Sequence, residues 1–273
     1  MKNIHYILCS EGRSGTNYLR YLLIKFCLGE PSEIEDEDIN LDVIPVRYRE
    51  RFIQWKHKFL RSDRYDNDEL IGNRSLWEFP FDFVIRHRSE GLIYSRCVWS
   101  YQFEEIIKNL RGKAGALDVS DADLLEHIYP GIKFIYLYRE DHIKQAISME
   151  KARQTDQWNS FQRVQNFDPE YKFGKIAQEV IWRLDSVCKW KEIFERYGIE
   201  PLRVKYEDFC KAPRKWLLRI KRYLGIRNAT PITEEAIRKH MEDEKAPQRQ
   251  SDDTNTEWEK RFYQDLERLK QIS

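Results

Sequence analysis

The chain has 273 residues, enough to bury a sizeable core, and its 47 Lys and Arg against 46 Asp and Glu leave no overall field that would draw it onto a nucleic acid. Its five cysteines are scattered, odd in number and without metal-ligand spacing, so they read as reduced thiols and argue against a disulfide scaffold or a zinc site. The first apolar run, Ile4 to Cys9, is too short for a signal-peptide core, and no stretch approaches the ~20 apolar residues of a membrane span, so the expected location is the cytoplasm.

Apolar runs alternating with helical spacing predict strand 4–9, helix 16–27, strand 133–138, helix 141–153, helix 175–196, strand 202–206 and helix 213–224, then a charged helical tail after Gln248. That order predicts an α/β fold, a parallel sheet flanked by helices, as one domain over residues 1–273. Between the first helix and the second strand the pattern weakens, and residues 33–93 read as a variable elaboration. Within it, 33–42 is acidic and 47–64 is basic, with Phe52, Trp55 and Phe59 interleaved. A solvated helix with a packed aromatic face is the preferred reading of the basic stretch, and peripheral contact with a membrane surface the alternative.

Parallel strands joined by crossover helices gather their loops at the carboxyl ends of the strands, so loops 10–15 and 139–141 are expected to face one crevice. The first reads Ser10-Glu11-Gly12-Arg13-Ser14-Gly15-Thr16-Asn17. Glycine allows close approach, and amides at a helix start carry partial positive charge, so the loop suits an anion. It lacks the lysine of an ATP phosphate loop and the third glycine of a dinucleotide fingerprint. Taken alone, it reads equally well as a tight turn with Thr16 as helix cap. The second loop starts with Arg139, at the end of strand 133–138, and Ser148 lies on the helix that follows. An arginine and a hydroxyl so placed suit a phosphate, while a salt-bridged surface arginine is the commoner use.

In their order along the chain, strand-Arg13-Ser14-Gly15-Thr16-helix, strand-Arg139 with Ser148, and Val204-Lys205-Tyr206-Glu207-Asp208-Phe209 before a basic helix ending Tyr223-Leu224-Gly225 resemble sulfotransferases that use 3′-phosphoadenosine 5′-phosphosulfate (PAPS). Further stretches make the chain similar to the bacterial carbohydrate group that includes trehalose 2-sulfotransferase, and to nodulation-factor sulfotransferases. They are Gly29-Glu30-Pro31, Gln145-Ala146-Ile147-Ser148, Ala152-Arg153-Gln154-Thr155-Asp156-Gln157-Trp158, and Arg249-Gln250 followed by Glu257-Trp258 and Arg261.

The resemblance implies PAPS as donor, its desulfated form PAP as product, no metal, and a carbohydrate or glycolipid hydroxyl as acceptor. It implies that Arg13, Ser14, Gly15, Thr16 and Asn17 hold the 5′-phosphosulfate, that Arg139 and Ser148 bind the 3′-phosphate, and that Arg249 contacts the nucleotide. Glu30 would take the acceptor proton, with His142 second, and Arg13 would stabilise charge on the departing phosphate. Arg96 and Trp99 lie in a stretch that resembles one near the acceptor, although packing accounts for Trp99 equally well. The chain also departs from the pattern. Glu11-Gly12 lengthens the first loop by a residue, Asn17 stands where a hydroxyl is usual, and 33–93 match poorly, so the acceptor is not inherited from trehalose-specific relatives. Two other readings stay open: a Mg2+-dependent small-molecule kinase with an unusual phosphate loop, and a nucleotide- or glycan-binding protein without turnover.

Overall fold

Ile-His-Tyr-Ile-Leu-Cys carries apolar side chains at both parities, the pattern of a strand covered on both faces, and it forms the central strand β1 (Ile4–Cys9). The computed structural model describes residues 4–29, 84–87, 91–114, 120–128, 131–158, 168–227, 229–243, 246–247 and 252–272. Four further strands join β1: β2 (Val84–His87), β3 (Gly91–Val98), β4 (Lys133–Tyr138) and β5 (Leu202–Lys205). Their order across the sheet is β2-β3-β1-β4-β5. β3, β1, β4 and β5 run parallel, with Leu8 facing Cys97 on one side and Ile135 on the other, and β2 adds an antiparallel edge. The α/β fold with a parallel sheet is thus as the sequence predicts.

Two faces of the sheet are covered by different helices. Tyr6, Leu8, Ile135, Leu137, Leu202 and Val204 point to a core filled by α1 (Thr16–Lys25), the short α6 (Tyr206–Lys211), α7 (Pro213–Leu224) and α8 (Glu234–Met241). The opposite parity, Ile7, Cys9, Phe134 and Tyr136, meets α2 (Ser100–Ala114), α3 (Asp121–Ile128) and α5 (Phe173–Arg196). α4 (His142–Thr155) lies against α5 and the carboxyl-terminal α9 (Asp253–Ile272), where Ile147, Ile176, Trp258 and Phe262 are buried together. The charged tail therefore packs back on the fold through Trp258 and Phe262, with Leu266 beside them. No described helix is long and apolar enough to cross a membrane.

Strands β1 and β4 and helix α7 have the predicted limits. α7 is punctuated as its sequence suggests, by Pro213 in its first turn and by Gly225 in a left-handed conformation after its end. Elsewhere the boundaries move. α1 stops at Lys25, short of the predicted residue 27, because Phe26 leaves helical geometry and Cys27 takes φ 55°. α4 runs on to Thr155 and closes on Asp156 at φ 51°. Tyr206, predicted as the last strand residue, instead begins α6. The sheet also takes in β2 and the start of β3, which lie within the stretch read as an elaboration. The acidic run 33–42 and the basic run 47–64 lie outside the described residues.

Trp190 anchors the α5 side of the core. It is fully buried, stacks on Phe194 one turn along at 5.3 Å, and meets Phe103 and Tyr136 at 5.9 Å each. Its indole N–H has no hydrogen-bond partner among the described residues. Trp190→Ala is expected to cost about 3–5 kcal/mol in urea unfolding, as a large aromatic cavity does. Trp190→Phe, which removes the buried unpaired donor and keeps a ring, should cost less than half as much. Equal costs for the two would show that ring packing is not what Trp190 contributes.

Candidate functional site

The loop from β1 to α1 is a wound segment tied down from several sides. The Ser14 amide donates to the Glu11 carbonyl at 3.2 Å, closing a turn, and Arg13 and Gly15 take φ 63° and 88°. At Gly15 the glycine is required twice over: by that left-handed conformation, and because a Cβ there would lie 2.2 Å from the ring of Tyr206. Gly15, at the N-cap of α1, has no side chain to cap the helix, which suits its first amides to solvent or a ligand. The carbonyls of the loop are taken up by its neighbours: Gln145 Nε2 donates to Gly12 O at 2.8 Å and Arg139 Nη1 to Arg13 O at 3.5 Å.

The loop hydroxyls turn inward. Ser14 and Thr16 are buried, with Ser14 Oγ 3.1 Å from Thr16 Oγ1, which donates to Ser10 Oγ at 3.2 Å; Ser10 in turn meets Cys97 Sγ at 3.3 Å. In this arrangement neither hydroxyl points toward an arriving anion, and the Ser14 amide is already taken by the Glu11 carbonyl, which leaves the Thr16 amide as the better placed donor. Asn17 is exposed on the first turn of α1. Glu11, which lengthens the loop, accepts from the first amide of α2, Ser100 N, at 3.0 Å, and so fastens the loop to the end of β3.

Two guanidinium groups converge beside this loop. Arg13 Nε donates to Ser148 Oγ at 3.0 Å, and its Nη1 to the Trp158 carbonyl at 2.6 Å. Arg139 leaves the end of β4, lies over the Tyr206 ring at 5.0 Å, and has Nε 3.7 Å from Glu207 Oε1. Burial first, and then the charge of Arg139, push the pKa of Arg13 down to about 10. A depressed arginine pKa signals positive charge held against its own preference, and an arriving anion relieves that cost.

The predicted residues are thus brought together, but not in the predicted pairs. Ser148, expected beside Arg139, is bonded to Arg13, and both Ser148 and Arg139 reach the first loop through Arg13. Glu30 and Arg249 lie outside the described residues, as does the side chain of Arg96, whose backbone pairs with Ile7 in β3. Trp99 is half-buried with its ring edge to Tyr101 at 5.6 Å, and its indole N–H is without a hydrogen bond among the described residues. His142 is half-buried at the start of α4 and lines a cavity with Glu11, Ser14, Arg139, Gln145 and Arg183.

Sequence reasoning assigned no role to four residues at this site. Gln145, Tyr206 and Glu207 sit inside stretches quoted for their resemblance, but their contacts with the loop connect positions far apart in the chain. Arg183 had no local signal. It is a buried residue of α5, bonded at 2.9 Å to Glu179, a carboxylate that also pairs with Arg153. Gly15→Ala tests the local geometry against Gly225→Ala. Both glycines have positive φ, but a Cβ at Gly225 meets nothing within 4 Å. Gly225→Ala should cost only the left-handed strain of about 1–2 kcal/mol, whereas Gly15→Ala should cost more in thermal unfolding and abolish pyrophosphate binding. Equal costs, with binding retained, would show that Tyr206 does not press on the loop.

The amide-lined loop at the end of β1, the arginine at the end of the neighbouring parallel strand and the packed carboxyl-terminal helix extend over nearly the whole chain. The family model described as Stf0 sulphotransferase matches residues 5–265, so the match takes in the loop, Arg139 and the part of the last helix that carries Trp258 and Phe262. No curated protein matched the chain. A match of that extent decides the family: the chain belongs to the Stf0 sulphotransferases, the trehalose 2-sulfotransferase family of the sulfotransferase superfamily, whose chemistry is sulfuryl transfer.

Proposed function

We propose that this protein, as a single domain, transfers a sulfuryl group from PAPS to a hydroxyl of a carbohydrate or glycolipid in the cytoplasm. The observation that carries the donor half is the convergence of Arg13 and Arg139 on a loop whose helix starts at a glycine N-cap, without a capping side chain of its own. A donor with a 5′-phosphosulfate and a 3′-phosphate supplies two anionic groups, and this site offers two arginines and a row of amides to receive them. Family membership displaces the kinase alternative; the non-catalytic alternative is answered by whether label passes from PAPS to an acceptor.

In this reading the bound donor supplies an activated sulfuryl group whose S–O bond to phosphate breaks as a new S–O bond forms to the acceptor oxygen. The amides of Gly15, Thr16 and Asn17 and the guanidinium of Arg13 stabilise the charge left on the phosphate oxygen. Arg13 begins bonded to Ser148 and to the Trp158 carbonyl, and turns from Ser148 toward the 5′ side as the donor binds, which frees the Ser148 hydroxyl for the 3′-phosphate. Arg139 and Ser148 hold the 3′-phosphate, and Arg249 adds a contact to the nucleotide. Glu30 takes the acceptor proton, so turnover rises with pH through the pKa of that carboxylate. Departures of the chain from its trehalose-specific relatives leave the acceptor as a carbohydrate or glycolipid hydroxyl in general.

Arg139→Ala separates the two anionic groups. Calorimetry should show PAPS affinity falling by about 1.5–3 kcal/mol, the scale of a hydrogen bond to a charged group. Adenosine 5′-phosphosulfate, which lacks the 3′-phosphate, should bind the variant almost as it binds the parent protein. Equal losses for both nucleotides would remove the 3′-phosphate from Arg139.

A further inference from the structure

Lys205-Tyr206-Glu207 is the segment of the family-like pattern to which the reaction gives no task, yet Tyr206 and Glu207 reach Arg139 and Lys205 pairs with the residue after it. Tyr206 is wedged between the two loops, with its ring against Gly15 and under the Arg139 guanidinium at 5.0 Å. Lys205 pairs with Glu140, the residue after Arg139. Glu207 accepts from the amides of Glu140 and Asp141 at 3.3 and 3.4 Å and stands 3.7 Å from Arg139 Nε. We propose that Glu207 is the positioning residue for Arg139, holding the guanidinium and the turn behind it in the geometry that reads a 3′-phosphate. The inference rests on the assignment of the 3′-phosphate to Arg139.

The contact distances support positioning over competition. At 3.7 Å the carboxylate is too far from Arg139 Nε for a hydrogen bond, and that Nε has no other hydrogen-bond partner among the described residues. The guanidinium is therefore oriented by charge, by the ring beneath it and by the Nη1 bond to the Arg13 carbonyl, and Glu207 takes up none of its N–H donors. Both hydrogen bonds of Glu207 go instead to the backbone that joins β4 to α4, the connection that sets the spacing between Arg139 and Ser148. Asp141 continues the same turn, its side chain accepting from Lys144 N to cap α4. An arginine without such support would have to be immobilised by the ligand, and affinity would fall accordingly.

The test is a double-mutant cycle on Glu207 and Arg139, read by calorimetry with PAP and with AMP, which lacks the 3′-phosphate. Glu207→Ala should weaken PAP about tenfold and leave AMP within about twofold, and on an Arg139→Ala background it should change PAP affinity by less than about twofold. The two amides bond to different carboxylate oxygens, so Glu207→Gln keeps an acceptor for one of them and should fall between, which covers the case in which the alanine variant does not fold. The inference is overturned if the glutamine variant, or a folded alanine variant, weakens PAP and AMP alike or tightens PAP. It is overturned equally if the Glu207 and Arg139 losses multiply. Should Arg139→Ala itself weaken PAP and AMP equally, the parent assignment fails, and that failure is visible without any Glu207 variant.

Discussion

Two guanidinium groups held beside one another at the carboxyl ends of neighbouring parallel strands set the terms for the rest of this molecule. Arg13 follows β1 and Arg139 follows β4, and the Arg139 guanidinium reaches the Arg13 carbonyl. Burial and mutual repulsion make that arrangement costly, as the lowered pKa of Arg13 shows. It persists because the surroundings over-determine it. α4 supplies Ser148 to one guanidinium, and the β5–α6 corner supplies a ring and a carboxylate to the other. Such an arrangement suits an anion that is not part of the protein, and the proposed donor would supply one.

The first loop shows how stiffness and reactivity are combined. A chain of buried hydroxyls runs from Ser14 through Thr16 to Ser10 and on to Cys97, pinning the loop to β3 from beneath. Gln145 holds it from α4, and Tyr206 fills the space above Gly15. The additional residue, Glu11, is accommodated by a job of its own at the start of α2. At the start of α1 the N-cap Gly15 supplies no side-chain cap, which leaves its first amides suited to a phosphate oxygen.

How much of this could be read in the sequence follows from the range of each signal. β1 and β4 were legible because both faces are apolar, and α7 because proline and glycine mark its ends. β3 was not, because Ser95 and Arg96 interrupt its apolar run, although Ser95 is fully buried in the sheet. α2 carried a readable stripe in Phe103, Ile106 and Ile107, but the weak pattern before it hid the boundary. At the site, Arg13, Arg139 and Ser148 were each identified in local motifs. Their actual pairing was not, since whether Ser148 meets Arg13 or Arg139 depends on how α4 leans over the loop. Glu207 and Arg183 were missed for the same reason, as their contacts join segments far apart in the chain.

The central claim is that one nucleotide bridges the first loop and the end of β4. A crystal structure of the full chain with PAP tests it most directly. The account predicts the 5′-phosphate on the amides of Gly15, Thr16 and Asn17 and the 3′-phosphate against Arg139 and Ser148, with Arg13 turned from Ser148 toward the 5′ side. A nucleotide bound in the opposite sense, or one that leaves the Arg13 to Ser148 bond intact and does not touch Arg139, would contradict it.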